Sequence, residues 1–263
     1  MTRRPDRAVL LFDFDGTLSA IVDDPACAVP RPGVVERLTS LVGRYRQVAV
    51  ISGRPVDFLA SRLPAGVVLS GLYGLESSDG EGTVLTDATA GRWVAKVAAA
   101  VAAARHAVGA DPLLDGVEIE DKRLSMTIHH RRSPGAEGAV QSLASRLSDE
   151  HELWLRPARM SFELHPPVTV DKGTAVHALT SAVEEVESVL FAGDDVGDLA
   201  AFASVGELGE RGLRTVRVAV VSAETDPRVV DASDLSIDED EVMTLLDALL
   251  AEDRRPEEEV SGG

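Results

Sequence analysis

A chain of 263 residues, 44% hydrophobic and 27% charged, is long and apolar enough for one large domain or a domain with an insert, and is not composed like a disordered chain. Its 26 basic and 44 acidic side chains give a formal charge of −18, and aromatics are only 4%, so nucleic acid and anionic membrane are not expected partners. Cys27 alone allows no intrachain disulfide, and the apolar runs, at 8–12 and 93–104, are too short for a signal peptide or a bilayer span; a soluble, cytoplasmic monomer is expected.

The first predicted element is the apolar run Ala8–Phe12, read as a buried parallel strand. It ends in Asp13-Phe14-Asp15-Gly16-Thr17, where Gly16 lets the chain turn sharply. Open α/β sheets bind ligands at such strand ends. Asp13 and Asp15 are two apart, so a regular strand points both carboxylates the same way. Two like charges that close need a divalent cation between them or a shared proton. A strand followed by an Asx turn with solvated aspartates is the plainer alternative. Residues 18–32, with three prolines and Asp23-Asp24, read as a loop or short flap over that strand end. Pro32-Gly33 opens a helix to about Arg44, with Val34, Val35, Leu38, Leu41 and Val42 at helical spacing. A strand at 47–51 runs into Ser52-Gly53-Arg54-Pro55 and a helix to about Leu63, and a third strand at 67–69 precedes Gly71-Leu72-Tyr73-Gly74-Leu75-Glu76. Strand and helix in alternation predict an α/β fold with a doubly wound parallel sheet.

The pattern then changes. Residues 77–82 are polar and glycine-rich, the composition of a hinge. A helix at 88–108, strands at 117–120 and 124–130, a helix at 135–147 and strands at 152–155 and 160–164 form an α+β pattern. The expected organisation is a core of residues 1–78 and 166–263 carrying an inserted α+β domain at 79–165. Alternation resumes with a helix at 172–186, a strand at 189–192, a helix at 196–203, a strand at 215–221 and an amphipathic helix at 240–250. The acidic tail 254–263 is expected to fray.

Three further segments carry polar groups at element ends. The Ser52 hydroxyl and the following N–H of Gly53 lie at a helix N-terminus, a ready anion site. Lys172, in Asp171-Lys172-Gly173-Thr174, opens a helix against its dipole, an arrangement that makes sense if the lysine holds an anion. The run 189–198 repeats the logic of β-strand into carboxylates, and Asp194, Asp195 and Asp198 are more aspartates than a helix cap needs. In a parallel sheet these ends lie side by side. Asp13, Asp15 and Asp194 would meet as hard oxygen ligands suited to Mg²⁺, with Ser52 and Lys172 as donors to a phosphoryl group. The absence of a GxxxxGK[ST] loop argues against a nucleotide-hydrolysing P-loop.

These segments carry a resemblance. DFDGT at 13–17, SGR at 52–54, DKG at 171–173 and GDDVGD at 193–198 resemble, in order, the four motifs of the haloacid dehalogenase-like superfamily of phosphotransferases. Residues 11–19 with Ile21-Val22-Asp23-Asp24-Pro25, then 71–76, then 117–125 leading into His129-His130-Arg131, are similar to the trehalose-phosphatase family within it, over about residues 9–247. The resemblance implies a Rossmann-like core with the insert as a cap. It implies a Mg²⁺-dependent phosphatase taking a sugar phosphate, trehalose 6-phosphate, to trehalose and phosphate, the last step of trehalose biosynthesis. Asp13 would be the nucleophile, forming an aspartyl-phosphate, and Asp15 the general acid and then base. Mg²⁺ would be held by the Asp13 and Asp194 carboxylates and the Asp15 carbonyl, with Asp195 and Asp198 behind them. Thr17, Ser52, Gly53 and Lys172 would bind phosphate, and Glu120, Lys122, His129, Arg131, Arg159 and Glu163 of the cap would contact the sugar.

The chain departs from the family pattern at His130, usually an aromatic, Arg159, commonly lysine, His165, commonly arginine, and Leu199, often acidic. Arginine for lysine is not a neutral change at a sugar site. The alternatives are the same chemistry on another glycosyl phosphate (sucrose phosphate, mannosyl- or glucosyl-3-phosphoglycerate, a pseudo-disaccharide phosphate), a non-catalytic sugar-phosphate sensor, or a phosphomutase.

Overall fold

In the computed structural model the strand β1 (Ala8–Phe12) lies inside the larger of two sheets, and all five of its residues are buried. The structure describes residues 4–22, 24–79 and 81–251, so Asp23 and the 254–263 tail fall outside the described residues. After β1 come α1 (Val34–Val42), β2 (Gln47–Ile51), α2 (Val56–Ala60), β3 (Val68–Gly71), β4 (Glu76–Ser78) and β5 (Val84–Thr86). Then follow α3 (Ala88–Gly91), α4 (Val94–Ala110), β6 (Glu118–Asp121), β7 (Met126–His129), α5 (Glu137–His151), β8 (Trp154–Ala158) and β9 (Ser161–His165). The chain closes with α6 (Lys172–Ser181), β10 (Ser188–Gly193), α7 (Leu199–Glu210), β11 (Arg214–Val221), α8 (Pro227–Asp231), β12 (Leu235–Asp238) and α9 (Val242–Ala251).

The larger sheet has the order β12-β11-β10-β1-β2-β3-β4-β5 and is parallel from β12 to β3. The strand period of two sorts β1 between two apolar layers. Ala8, Leu10 and Phe12 pack with Leu38 and Leu41 of α1, Leu59 of α2 and Leu246 of α9. Val9 and Leu11 pack with Val176 of α6, Phe202 of α7 and Val229 of α8. Helices therefore cover both faces, the doubly wound arrangement read from the sequence. In register, Phe12 lies beside Ala192 of β10 and Val50 of β2. The residues that follow these three strands, Asp13, Asp194 and Ser52, consequently emerge at the same edge.

The second sheet, β6-β7-β9-β8, is antiparallel and packs against α4 and α5. It forms a roof over the strand ends of the larger sheet.

The stretch 77–82, read as a hinge, does not separate the two sheets. β4 and β5 pair as an antiparallel hairpin that extends the larger sheet to its edge, past residue 79. The predicted helix 88–108 is two helices, α3 and α4, and the predicted helix 172–186 stops at Ser181. α8 and β12 were not predicted. Both are short, and β12 is an edge strand whose exposed and half-exposed residues carry no apolar run. Among the described residues no helix is long and apolar enough to cross a membrane.

Candidate active site

The floor of the site is built from strand ends. The N–H of Asp13 donates to the carbonyl of Ala192 (2.8 Å), fixing the first residue after β1 against β10. Gly16, at φ +81°, then reverses the chain, and a Cβ there would run into the Asp194 carboxylate. Lys172 is brought in by the first turn of α6, which is held by a capping box. The Asp171 side chain accepts from the N–H of Thr174 (2.8 Å), and the Thr174 hydroxyl bonds back to the Asp171 backbone. Gly173 allows α6 to lie against α7, since a Cβ there would meet the Ala200 carbonyl oxygen at 2.6 Å.

Lys172 Nζ lies 2.9 Å from Asp13 Oδ1 and 2.6 Å from Asp198 Oδ1. The other Asp198 oxygen accepts from the N–H groups of Asp194 (3.0 Å) and Asp195 (3.1 Å). Asp198, fully buried, thus orients both the lysine and the loop that carries Asp194. The Asp195 side chain is exposed and caps the turn at 196–198 through the N–H of Gly197 (2.8 Å).

Electrostatically the floor is unbalanced. Burial raises the Asp13 pKa well above the usual carboxylate range, Lys172 pulls it back, and Asp198 and Asp195 push it up again. Asp194 is raised by burial and then by Asp13, Asp198 and Asp195. Burial works against the charge on Lys172, but Asp13, Asp198 and Asp195 outweigh it and keep the lysine protonated far into the alkaline range. Four aspartates around one lysine leave uncompensated negative charge. Asp194 Oδ1 is buried and accepts no hydrogen bond, and Asp13, Asp194 and Asp198 each offer an oxygen within 4.8 Å of the others. A hard divalent cation fits this donor set, with Asp13 and Asp194 as ligands because both oxygens of Asp198 are already engaged.

Asp15 does not share the floor with Asp13 as a symmetric pair. Arg54 grips its carboxylate by both oxygens, Nε to Oδ2 at 2.7 Å and Nη2 to Oδ1 at 2.8 Å. Arg54 also donates to the Pro25 carbonyl in the flap (2.8 Å), stacks on Phe58 (4.6 Å) and comes within 3.7 Å of Glu120 in the roof. Arg54 belongs to the SGR segment, but sequence reasoning gave it no role. Ser52 Oγ accepts from the N–H of Arg54 (3.2 Å), which leaves its hydroxyl hydrogen free for a ligand. Tyr73, at φ +60°, stands over Gly53 with Arg156 stacked on its ring (4.5 Å). The Glu163 charge and burial hold the Tyr73 phenol far above its usual pKa, so it stays a hydrogen-bond donor.

The roof faces this floor. Glu163 accepts from Ser125 (3.0 Å) and Lys122 (3.4 Å), and Glu120 pairs with His129 (2.8 Å). Burial opposes ionisation of Glu120, yet His129, Lys122 and Arg54 together lower its pKa to about 2. Arg159 forms an ion pair with Glu224, in the loop after β11. Asp13, Asp15, Ser52, Gly53, Lys172, Asp194 and Asp195 line one cavity together with Glu120, Lys122, His129, Arg131, Arg159 and Glu163. Two of the residues expected at the site do not line it. Asp198 lies beneath the floor, and Thr17 is 1% exposed, its hydroxyl without a partner. Arg54, Tyr73 and Thr127 line the cavity without having been predicted to.

A family model described as trehalose-phosphatase matches residues 11–234. The chain belongs to the trehalose-phosphatase family. It is 32% identical over 218 residues to a trehalose-phosphate phosphatase of Mycobacterium ulcerans, covering 78% of this chain and 55% of that protein. A trehalose-phosphate phosphatase of Mycobacterium tuberculosis is 33% identical over 207 residues, 76% of this chain and 52% of the relative. The chain therefore spans about half the length of the curated relatives it matches. Among solved structures, the C-terminal domain of Candida albicans trehalose-6-phosphate phosphatase superposes with a TM-score of 0.72 at 26% identity, covering 93% of this chain and 92% of that one. The trehalose-phosphatase fold here is the haloacid dehalogenase-like one, a Rossmann-like parallel sheet with a smaller α+β unit.

Proposed function

We propose that this chain is a phosphoric monoester hydrolase that releases phosphate from trehalose 6-phosphate, with the unit from β6 to β9 acting as the cap over a core formed by the larger sheet. The observation that carries the reading is Asp13, buried at the end of β1 with Lys172 Nζ 2.9 Å from its carboxylate and roof residues lining the same cavity.

A phosphoryl group would lie against Asp13, taking hydrogen bonds from the Ser52 hydroxyl, the Lys172 ammonium and the N–H of Gly53. Asp13 would attack phosphorus, the bond to the sugar oxygen would break, and that oxygen would take a proton from Asp15. Asp15 would then remove a proton from water as the water oxygen attacks the phosphorus of the aspartyl-phosphate, releasing phosphate and restoring the Asp13 carboxylate. For either step Asp15 must share its carboxylate between Arg54 and the reacting oxygen. Mg²⁺, held by Asp13, Asp194 and the Asp15 carbonyl, would supply charge neutralisation for the phosphoryl oxygens and the carboxylates. The roof would exclude water and hydrogen-bond the sugar through Glu120, Lys122, His129, Arg131, Arg159 and Glu163.

The test is phosphate release from a panel of sugar phosphates with Mg²⁺ or with EDTA. Trehalose 6-phosphate is expected to give the highest kcat/KM, EDTA to abolish turnover, and Asp13→Asn to lose at least about 10³-fold in kcat. A different sugar phosphate turned over faster overturns the substrate, and an active Asp13→Asn overturns the mechanism.

A further inference from the structure

Two buried oxygens in the walls of the cavity have no hydrogen-bond partner. One, Asp194 Oδ1, belongs to the floor and to the cation site already described. The other, Thr127 Oγ1, belongs to the roof. Thr127 is 3% exposed, in the middle of β7. In register it lies between Glu120 of β6 and Glu163 of β9, so the three side chains share the sheet face that looks down on Asp13. Its neighbours are engaged, Glu120 with His129, and Glu163 with Ser125 and Lys122. The hydroxyl between them is both a donor and an acceptor with nothing to meet. A buried hydroxyl left in that state disfavours the folded protein, and a valine would fill the same space in a strand without that cost.

We infer that Thr127 is a specificity-determining residue whose hydroxyl is completed by a ring hydroxyl of the sugar. The inference rests on the sugar-phosphate reading above and names one contact within it. The ligand class is a polyol or pyranose, because a hydroxyl can accept from Thr127 and donate to the flanking carboxylates at once. A purely apolar leaving group would leave the Thr127 hydroxyl without a partner.

The experiment compares the wild type with Thr127→Val and Thr127→Ser on trehalose 6-phosphate and on p-nitrophenyl phosphate, whose leaving group carries no sugar hydroxyl. Thr127→Val is expected to lower the ratio of kcat/KM for the two substrates roughly 3- to 30-fold, and Thr127→Ser to restore most of it. Because no hydrogen bond is lost in the free protein, Thr127→Val is also expected to unfold at the same or a higher temperature than the wild type. An unchanged ratio, or a valine variant that loses the ratio only together with a marked drop in unfolding temperature, overturns the inference. The wild-type panel separates this from the function itself. If another sugar phosphate is the best substrate, the proposed substrate fails, and the same ratio measured on that compound decides Thr127. If no sugar phosphate is turned over, both fail.

Discussion

Asp194 shows most directly how a side chain can work against the fold that holds it. Its carboxylate is buried beside Asp13, Asp198 and Asp195, and one of its oxygens has no protein partner. A carboxyl group whose pKa is raised on folding contributes instability that grows as pH rises from its unfolded value through its folded one. Asp194→Asn is therefore expected to stabilise the metal-free protein near neutral pH, by on the order of 1 kcal/mol, read by chemical denaturation. The same variant is expected to lose the rise in Tm that Mg²⁺ gives the wild type, about 2.7 kcal/mol of stabilisation at a hundredfold excess over Kd. That rise shrinks as pH falls, because protons compete for Asp13 and Asp194. A wild type whose Tm ignores Mg²⁺ at pH 7 would sink the cation assignment. Arg54 is the complementary case, a cation that ties Asp15, the flap and the roof together. Its place in SGR was visible in the sequence, but its reach to Asp15 and Glu120 was not, since a long flexible side chain leaves no periodic trace.

At the scale of single elements, α6 and the roof sheet each do two tasks. The capping box of α6 satisfies orphan N–H groups and also sets the position of Lys172. Asp171→Ala is expected to cost about 1 kcal/mol in denaturant unfolding, as the loss of a good N-cap does. It should also lower kcat, because the next residue is the lysine. In the roof, Glu120 is pulled to a pKa of about 2 by His129, Lys122 and Arg54 against the effect of burial. A depressed carboxylate contributes stability that is present above its unfolded value near 4.5 and disappears as pH falls towards 2. The stability difference between the wild type and Glu120→Gln is thus expected to be largest above about pH 5, at most about 3 kcal/mol, and to close by about pH 2. A difference independent of pH would mean that Glu120 contributes by packing alone. The strands of the core were legible because Ala8–Phe12 and residues 48–51 are continuous apolar runs with polar punctuation. β4 and β5 were not, because Glu76–Ser78 and Val84–Thr86 flank a polar, glycine-containing turn and carry no alternation of their own. His130 reads as a departure from the family in sequence, and in space it does an aromatic's work, stacked on Phe162 at 6.0 Å.

Across the whole molecule the site exists because the topology gathers residues that are far apart in the chain. Asp13, Ser52, Lys172 and Asp194 were legible as a set, since each follows or precedes an element whose place in a parallel sheet is predictable. The roof contacts were legible only as residue types. Thr127 in a strand is the ordinary choice of a β-branched residue, and only the pairing register reveals that its hydroxyl is stranded. Roof and floor are bridged by Arg54–Glu120 (3.7 Å), Arg123–Glu76 (3.4 Å), Arg132–Asp24 (3.9 Å) and the pair of Arg159 with Glu224. Arg132–Asp24 and Arg159–Glu224 lie at the surface, so these two pairs are weak singly and screened by salt. Near-molar NaCl is expected to increase the radius of gyration in small-angle scattering and to speed proteolysis at 87–93 and 166–171. An unchanged radius would mean that apolar packing alone sets the roof. Residues 166–171 are all that lie between β9 and Lys172. Mechanically, the segment is a tether from the roof to a charged pin, and the Asp171 capping box and the close α6–α7 contact at Gly173 clamp one end of it. If the roof lifts in the proposed reaction, this tether has to flex, and the clamped end would keep the pin seated beside Asp13.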